Sequence, residues 1–283
     1  MSATAAMRLR HRFRHDPAFA GGTVLVAMVV GAALFAPFLS PYNPLVGDLA
    51  RDYLTPPGGR FFAGADSQGR DVLTRVLYGA RLSLLVGVVS QTVAVTLGVA
   101  LGLIAGWYGK WVDAVVMRAA DITLAFPTLL LLIAVSAAVR PSLVVVFALI
   151  GVVGWAGMAR LVRGQVLVLR NAEYVLAARA LGAPGLRIMG RHLLPNVLGP
   201  VSVAATLGIA GAIMAEAALS FVGLGAQPPT PSWGAMVADG RDLLRVAPWV
   251  SVAPGIAIAV AVLGFNLVGE ALREVLDPKG RGR

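Results

Sequence analysis

The sequence predicts an all-α integral membrane protein with about six transmembrane helices. Hydrophobic residues make up 58% of the chain and charged residues only 13%, whereas soluble domains carry roughly 25% charged residues. Several charge-free stretches approach the length of a lipid-crossing helix, which needs about 20 apolar residues. Because a backbone in lipid must satisfy its own hydrogen bonds, these stretches are helices rather than isolated strands.

The first span covers residues 18–39, which lie in the charge-free stretch between Asp16 and Asp48. A signal peptide is the competing interpretation, but no convincing small-residue cleavage site precedes Pro37, so we expect a retained helix. The third span starts near Ala114 and carries Arg118 and Asp121, which are spaced to pair on one helix face. The later spans cover residues 82–109, 122–139, 141–159, 192–215 and 246–269.

The segment 40–81 is too polar to span and is rich in proline and glycine, so it is predicted to be an external loop. Its end, 70–81, places Val72, Val76 and Ala80 on one face, with arginines elsewhere. This pattern predicts a helix lying on the outer membrane surface. The domain organisation follows: 1–81, a five-helix core at 82–272, and a basic tail at 273–283.

Small residues recur at Gly98, Gly102 and Gly106 in the second span. Such spacing lets two membrane helices approach closely. A dimerisation motif is one interpretation, and packing within the chain is the one we favour.

Charge distribution predicts the orientation. About two thirds of the 24 Lys and Arg residues lie in the two termini and in alternate loops, and cytoplasmic loops carry the excess of Lys and Arg. Both termini and the loop 160–195 are therefore expected in the cytoplasm. The formal charge of +10 thus reflects topology rather than nucleic-acid binding.

Metal chemistry is not expected of this chain. It has no cysteine, and its three histidines, His11, His15 and His192, lie in basic segments without ligand spacing.

The loop 160–195 contains a predicted short helix, 172–181. Asn171 is a good N-cap, Glu173 suits the helix dipole, and Gly182 can close the helix in a left-handed conformation. Pro184 then suits the first turn of a second helix, which runs towards Leu194 and Pro195.

The short helix has the chemistry of a docking element. Ala177 and Ala178 leave its backbone nearly bare, Tyr174 and Leu181 offer apolar contact, and Arg179 is available to an acidic partner. The alternative is an alanine-rich helix that merely lies on the membrane surface.

The residues at 173–183, Glu-Tyr-Val-Leu-Ala-Ala-Arg-Ala-Leu-Gly-Ala, and Arg-His-Leu-Leu-Pro-Asn at 191–196 closely resemble the cytoplasmic signature loop of ABC importer permeases. The resemblance implies that Glu173, Tyr174, Ala177, Ala178, Arg179, Leu181, Gly182, Leu194 and Pro195 couple the chain to an ATPase. One position departs from the signature: an acid often precedes the paired alanines, and Leu176 stands there. A salt bridge from that position is not expected.

The runs at 64–73 and 216–234 are similar to the second, C-type permease of dipeptide, oligopeptide and nickel importers. This resemblance covers nearly the whole chain. It implies the type I ABC importer fold, a bacterial inner-membrane location, a second homologous permease, two cytoplasmic ATPase subunits and an external solute-binding protein. The sequence has no Gly-x-x-x-x-Gly-Lys-Ser/Thr loop, so ATP and magnesium are expected on the partner ATPases and no cofactor on this chain.

Several polar residues outside the loop are candidates for transport roles. Glu216, Asn266 and Gln91 lie within apolar stretches and are candidates for a pathway or gate, or for structural hydrogen bonds. In the proline-rich segment, Gln227, Pro229 and Trp233 are candidates for contact with the binding protein, although Trp233 also suits the membrane interface.

The favoured function is a permease subunit for di- or oligopeptides that has no ATPase activity of its own. A permease for nickel or another small solute is an alternative within the family. A secondary transporter driven by an ion gradient, or a channel or scaffold, is the alternative from another class, but we find no convincing internal repeat.

Overall fold

The computed structural model of the chain describes residues 16–139 and 142–276, which form helices joined by turns and loops. The basic start from Arg8 to Arg14, His15, Arg140 and the tail beyond Leu276 lie outside the described residues. The helices are α1 Pro17–Leu39, α2 Leu49–Asp52, α3 Val72–Tyr108, α4 Lys110–Ala125, α5 Thr128–Ala138, α6 Leu143–Leu169, α7 Glu173–Ala180, α8 Gly185–Ile188, α9 Leu194–Phe221, α10 Trp233–Gly240 and α11 Trp249–Leu276.

Five of the described helical segments are long and apolar enough to cross a membrane, and the pair α4 and α5 makes a sixth if it counts as one broken span. The prediction of about six spans is therefore confirmed. One of the five runs from α8 into α9 through the π-helix Met189–Leu193. α11 ends at Leu276, so the first residues of the expected basic tail are helical.

The third span is broken rather than continuous, because α4 and α5 meet at 89°. Phe126 has an extended backbone, as expected of a residue that precedes a proline. The predicted pairing of Arg118 with Asp121 is wrong: Asp121 accepts from Arg160 of α6 at 2.7 Å. Arg163 of α6 binds Asp113 of α4 at 2.6 Å, so two ion pairs join α4 to α6.

The predicted surface helix at 70–81 is also wrong. Residues 72–81 are the start of α3, which has 37 residues and so extends for about 55 Å at 1.5 Å per residue. Val72, Arg75 and Ala80 are buried, because α10 and α11 cover this end of the helix. This part of the helix is amphipathic as predicted, but its apolar face packs against protein instead of lipid.

The glycine series on α3 packs against α6, as favoured. A Cβ atom placed on Gly98 would lie 2.5 Å from Met158 Cβ, one on Gly102 2.6 Å from the Ala159 oxygen, and one on Gly106 2.7 Å from Val166 Cβ. Only glycine allows the two helices to come this close over about two turns.

Arg81 completes the backbone hydrogen bonding of α1. Pro37 lies inside α1 and has no N–H, so the carbonyl of Ala33 lacks its helical partner. Arg81 Nε donates to that oxygen at 2.6 Å, and Arg81 Nη2 donates to the Leu34 oxygen at 3.2 Å. The side chain of Arg81, on α3, thereby supplies the hydrogen-bond donor that Pro37 removes from α1.

Replacing Gly102 with leucine should destabilise the protein, because the new side chain collides with the backbone of α6. Overpacking of this kind costs about 1–3 kcal/mol. Thermal unfolding of the purified protein in detergent measures the loss. Gly21→Leu is the matched control, since nothing lies within 4 Å of its Cβ position; equal losses in both variants would contradict the packing.

A double-mutant cycle tests whether Arg81 replaces the hydrogen-bond donor that Pro37 lacks. Arg81→Ala should cost about 1.5–3 kcal/mol, the usual loss for hydrogen bonds to a charged group. In a Pro37→Ala background the cost should shrink, because residue 37 then donates to the Ala33 oxygen itself. Unfolding of the four proteins gives the coupling energy, and an Arg81→Ala cost that is the same in both backgrounds would refute the role.

Candidate docking loop and central cavity

The short helix α7 forms where expected, but a different residue precedes it. Ala172 occupies the N-cap position and makes no side-chain hydrogen bond, so the prediction of Asn171 as the cap is wrong. Asn171 instead closes α6, with its N–H bonded to the Val168 oxygen at 3.3 Å.

Gly182 closes α7 as predicted. Its φ is +78°, and its N–H binds the Arg179 oxygen at 2.9 Å, while the N–H of Ala183 binds the Ala178 oxygen at 3.0 Å. These two bonds are the Schellman pattern of a helix that ends in a left-handed residue.

Apolar contacts fix the loop to the ends of the long helices. Val175 of α7 and Ile188 of α8 are fully buried in one cluster with Val166 of α6 and Leu193. Because interiors are close-packed, this cluster joins the loop rigidly to α6 and α9. Ala178 and Leu194 pack against the same cluster, so these two predicted coupling residues face the protein interior.

Trp107, at the end of α3, provides a further attachment for the loop. The guanidinium carbon of Arg179 lies 4.4 Å from the centre of the Trp107 ring, a cation–π geometry. A Cβ on Gly185 would lie 2.7 Å from Trp107 Nε1, so α8 also rests on this ring. Arg179 thus contacts Trp107 through its face while the residue stays exposed, and its availability to an acidic partner stays a prediction.

The remaining residues of the loop present an apolar surface, which we call the docking face. Leu181 is 87% exposed and Leu186 76% exposed. Tyr174, Leu176 and Ala177 are also exposed on α7. Glu173 and Pro195 are exposed at the starts of α7 and α9.

A cavity of about 370 Å³ lies between α3, α5, α6 and α9. Its polar lining consists of Ser90, Gln91 and Thr128, and the rest is glycine, alanine and larger apolar side chains such as Gly208 and Leu132. None of the described residues that line it is charged. Gln91 lines this cavity, whereas Asn266 is exposed on α11 and Glu216 is buried outside the cavity. A pathway or gate role for these residues stays a prediction.

The carboxylate of Glu216 accepts hydrogen bonds from serine hydroxyls, which agrees with the predicted alternative of structural hydrogen bonds. It is 1% exposed, accepts from Ser220 Oγ at 2.6 Å and accepts from Ser83 Oγ of α3 at 3.3 Å. Ser220 Oγ in turn accepts from the Ala226 N–H at 3.2 Å. The carboxyl group thus joins α3, α9 and the loop that follows α9.

The three residues predicted to contact a binding protein lie in two environments. Gln227 and Pro229 are exposed. Trp233 is 1% exposed, and its Nε1 donates to the Val76 oxygen at 2.9 Å. Trp233 thus packs inside the protein, and both expectations for it, partner contact and interface anchoring, are wrong.

Comparison with known proteins identifies the family. Residues 98–282 match the model of the binding-protein-dependent transport system inner membrane component. The chain belongs to this family. Residues 6–57 match the N-terminal transmembrane domain of oligopeptide transport permease C, so the chain is a permease of the C type.

Curated relatives match over nearly the whole permease. The dipeptide transport system permease protein of Alkalihalophilus pseudofirmus is 44% identical, with 91% of this chain and 84% of the relative covered. The di/tripeptide permease of Pseudomonas aeruginosa is 44% identical, with 94% and 90% covered. The oligopeptide permease of Bacillus subtilis is 39% identical, with 95% and 88% covered.

Membership of the family decides between the classes of function. The chain is a multi-pass permease subunit of an inner-membrane, binding-protein-dependent transport system, and such systems have ATPase and substrate-binding partners. The secondary-transporter and channel alternatives are set aside.

Sequence reasoning missed two residues that position the permease's loop and first helix. No sequence pattern indicates the role of Trp107, because its partners Arg179 and Gly185 are distant along the chain. Arg81 had a signal: Pro37 leaves an unpaired carbonyl in α1, and such a group in a membrane requires a donor.

Replacing Gly182 with valine should loosen the end of α7. The surroundings are open, so the cost, about 1–2 kcal/mol, comes from the backbone at positive φ alone. Limited proteolysis of residues 170–190 and thermal unfolding report the change. Gly182→Asn should cost less stability because asparagine tolerates this conformation. Equal losses in the two variants would show that the backbone conformation at residue 182 is not the cause.

Proposed function

We propose that this permease forms half of the translocation pathway of an ATP-driven importer of di- and oligopeptides, and that the docking face binds an ATPase subunit. The observation that carries the proposal is an exposed apolar surface, including Leu181 and Leu186, on a loop that is packed rigidly onto the ends of three long helices. A helix that merely lay on the membrane would not need this attachment.

Rigid attachment explains how motion reaches the pathway. α3, α6 and α9 carry the loop at their ends and line the central cavity along their lengths. When ATP binding draws two ATPase subunits together, a displacement of α7 is transmitted to these helices through Val175, Ile188 and the contact of Arg179 with Trp107. The permease then acts as a two-state element that nucleotide biases at one end and the loaded binding protein at the other.

Peptide cargo is supported by the relatives and by the cavity. The relatives named above are dipeptide, di/tripeptide and oligopeptide permeases. A wall of small and larger apolar residues without charge neither repels nor traps peptides that differ in side-chain charge, and Gln91 offers amide hydrogen bonds to a peptide backbone.

The proposed complex contains a second homologous permease, two ATPase subunits that carry ATP and magnesium, and an external solute-binding protein. This chain hydrolyses no ATP and holds no cofactor. Its termini lie in the cytoplasm, on the same side as the loop 160–195.

We divide the chain into the segments 1–81, 82–272 and 273–283, although the first boundary falls inside α3 and the second inside α11. Glu216 serves as a structural tie, and Gln227 and Pro229 contact the binding protein.

Leu181→Asp should abolish docking, because it places a charge in the middle of the apolar surface while leaving the buried cluster intact. ATP-dependent uptake of a labelled dipeptide into vesicles that hold the complete importer should fall at least about tenfold, and co-purification of the ATPase should fall with it.

Val246→Asp is the matched control, since Val246 is 70% exposed at the opposite end of the molecule; it should retain both activities. Normal uptake by Leu181→Asp, with the permease folded, would overturn the assignment of the docking face.

A further inference from the structure

A single narrow row of exposed residues runs along α11, and we call it the α11 stripe. Between positions 250 and 272 the exposed residues are Val252, Ile256, Ala259, Leu263, Asn266 and Glu270. They are alternately four and three residues apart, which is the spacing of the seam between two helices that pack side by side. From its first to its last residue the stripe is about 27 Å long at 1.5 Å per residue.

Contacts with α1 show how deep Asn266 lies in the membrane. A Cβ atom on Gly22 of α1 would lie 2.6 Å from Leu267 Cβ, and one on Gly264 would lie 3.0 Å from Leu25 Cβ. Asn266 is therefore level with a point about 10 Å from the start of α1 and about 23 Å from its end. Because α1 has 23 residues, its length of about 34 Å matches a hydrocarbon core about 30 Å thick. Asn266 thus lies inside that core.

The side-chain amide of Asn266 is exposed at this depth and has no hydrogen-bond partner among residues 16–139 and 142–276. An amide that faces hydrocarbon without a partner is costly, so polar side chains in a membrane face either another helix or a water-filled space. The central cavity has no lining residue from α11. The amide therefore indicates a helix that packs on the stripe.

Small residues make room for such a helix. Ala259 lies in the middle of the stripe, and Gly255, one turn before it, has no atom within 4 Å of its Cβ position. Two small residues four positions apart let the backbones of two membrane helices approach closely. The same exposed face thus carries both features that join membrane helices, a small-residue pair and a hydrogen-bonding side chain.

The depth of the stripe restricts its partner. The ATPase subunits and the solute-binding protein lie outside the membrane, so the second permease is the proposed partner that can reach Asn266. A second copy of this chain is disfavoured, because in a symmetric parallel pair each stripe residue faces its own copy. Glu270 would then face Glu270, and like charges that oppose each other weaken a contact.

We propose that the α11 stripe binds a transmembrane helix of the second permease. The proposal rests on the proposed function, because that function supplies this partner. The partner helix crosses over Gly255 and Ala259, places a hydrogen-bonding side chain opposite the amide of Asn266, and has no acid opposite Glu270.

Spin-label accessibility identifies what covers the stripe. The chain has no cysteine, so Leu263→Cys, labelled before assembly, reports on one site whose native side chain is large and 52% exposed. Its accessibility to oxygen, which dissolves in lipid, and to a water-soluble nickel chelate is measured in nanodiscs that hold this permease alone or the complete importer. Oxygen accessibility should fall severalfold on assembly, and chelate accessibility should stay low. Met28→Cys of α1, at a site 57% exposed, is the control and should keep its oxygen accessibility.

Two substitutions test the contact itself. Asn266→Leu removes the amide and should lower the affinity for the second permease about threefold to tenfold. Ala259→Leu fills the space for the partner backbone and should also weaken assembly, whereas Ala27→Leu, at an exposed alanine of α1, should not. Because lipid accommodates leucine at exposed positions, thermal unfolding of this permease alone should not fall in any of the three variants.

Four outcomes overturn the proposal. Unchanged oxygen accessibility at residue 263 in the complete importer would show that the stripe faces lipid. A rise in chelate accessibility would place it on a water-filled pathway. An equal fall at residue 28 would show a change of the whole bundle. Unchanged affinity in both Asn266→Leu and Ala259→Leu would show that neither feature joins the subunits.

These assays read assembly without cargo. A stripe that stays exposed to lipid would leave peptide uptake, and so the proposed function, intact. Loss of peptide uptake in an importer that assembles normally would count against the proposed function alone.

Discussion

The close contact between α3 and α6 supports most of the structure. It depends on three glycines one turn apart, Gly98, Gly102 and Gly106, which let α3 lie directly against the backbone and side chains of α6. In a membrane, lipid tails solvate apolar side chains as well as protein does, so helices associate through close packing and hydrogen bonds rather than through the hydrophobic effect. A tight glycine contact is therefore the kind of interaction that can hold this bundle together.

Attached in this way, α3 links every functional part of the molecule. Its first residues are capped by Asp71 at the end of the outer loop, and Arg81 completes the hydrogen bonding of α1. Ser83 binds Glu216, Gln91 lines the central cavity, and Trp107 holds the docking loop. A helix of about 55 Å thus connects the outer loop, the cavity and the docking face.

Charged and polar groups in the bundle are used to join elements. Asp113 and Asp121 of α4 bind Arg163 and Arg160 of α6, and these pairs hold the broken third span beside the helix that lines the cavity. Desolvating a charge costs less when a partner lies at hydrogen-bond distance. The central cavity, in contrast, has no charge among its described lining residues.

The sequence by itself determined the membrane class, the approximate spans, the left-handed turn at Gly182 and the resemblance to importer permeases, because hydropathy, glycine conformation and a local signature are properties of neighbouring residues. Only the tertiary structure decided what the amphipathic start of α3 packs against, that Arg179 stacks on Trp107, that Asp121 pairs with Arg160, and that Trp233 is buried. An apolar face predicts burial but does not distinguish lipid from protein, and a charge predicts a partner but does not identify it. Those choices depend on contacts between residues far apart in the chain, which the packing of the helices creates.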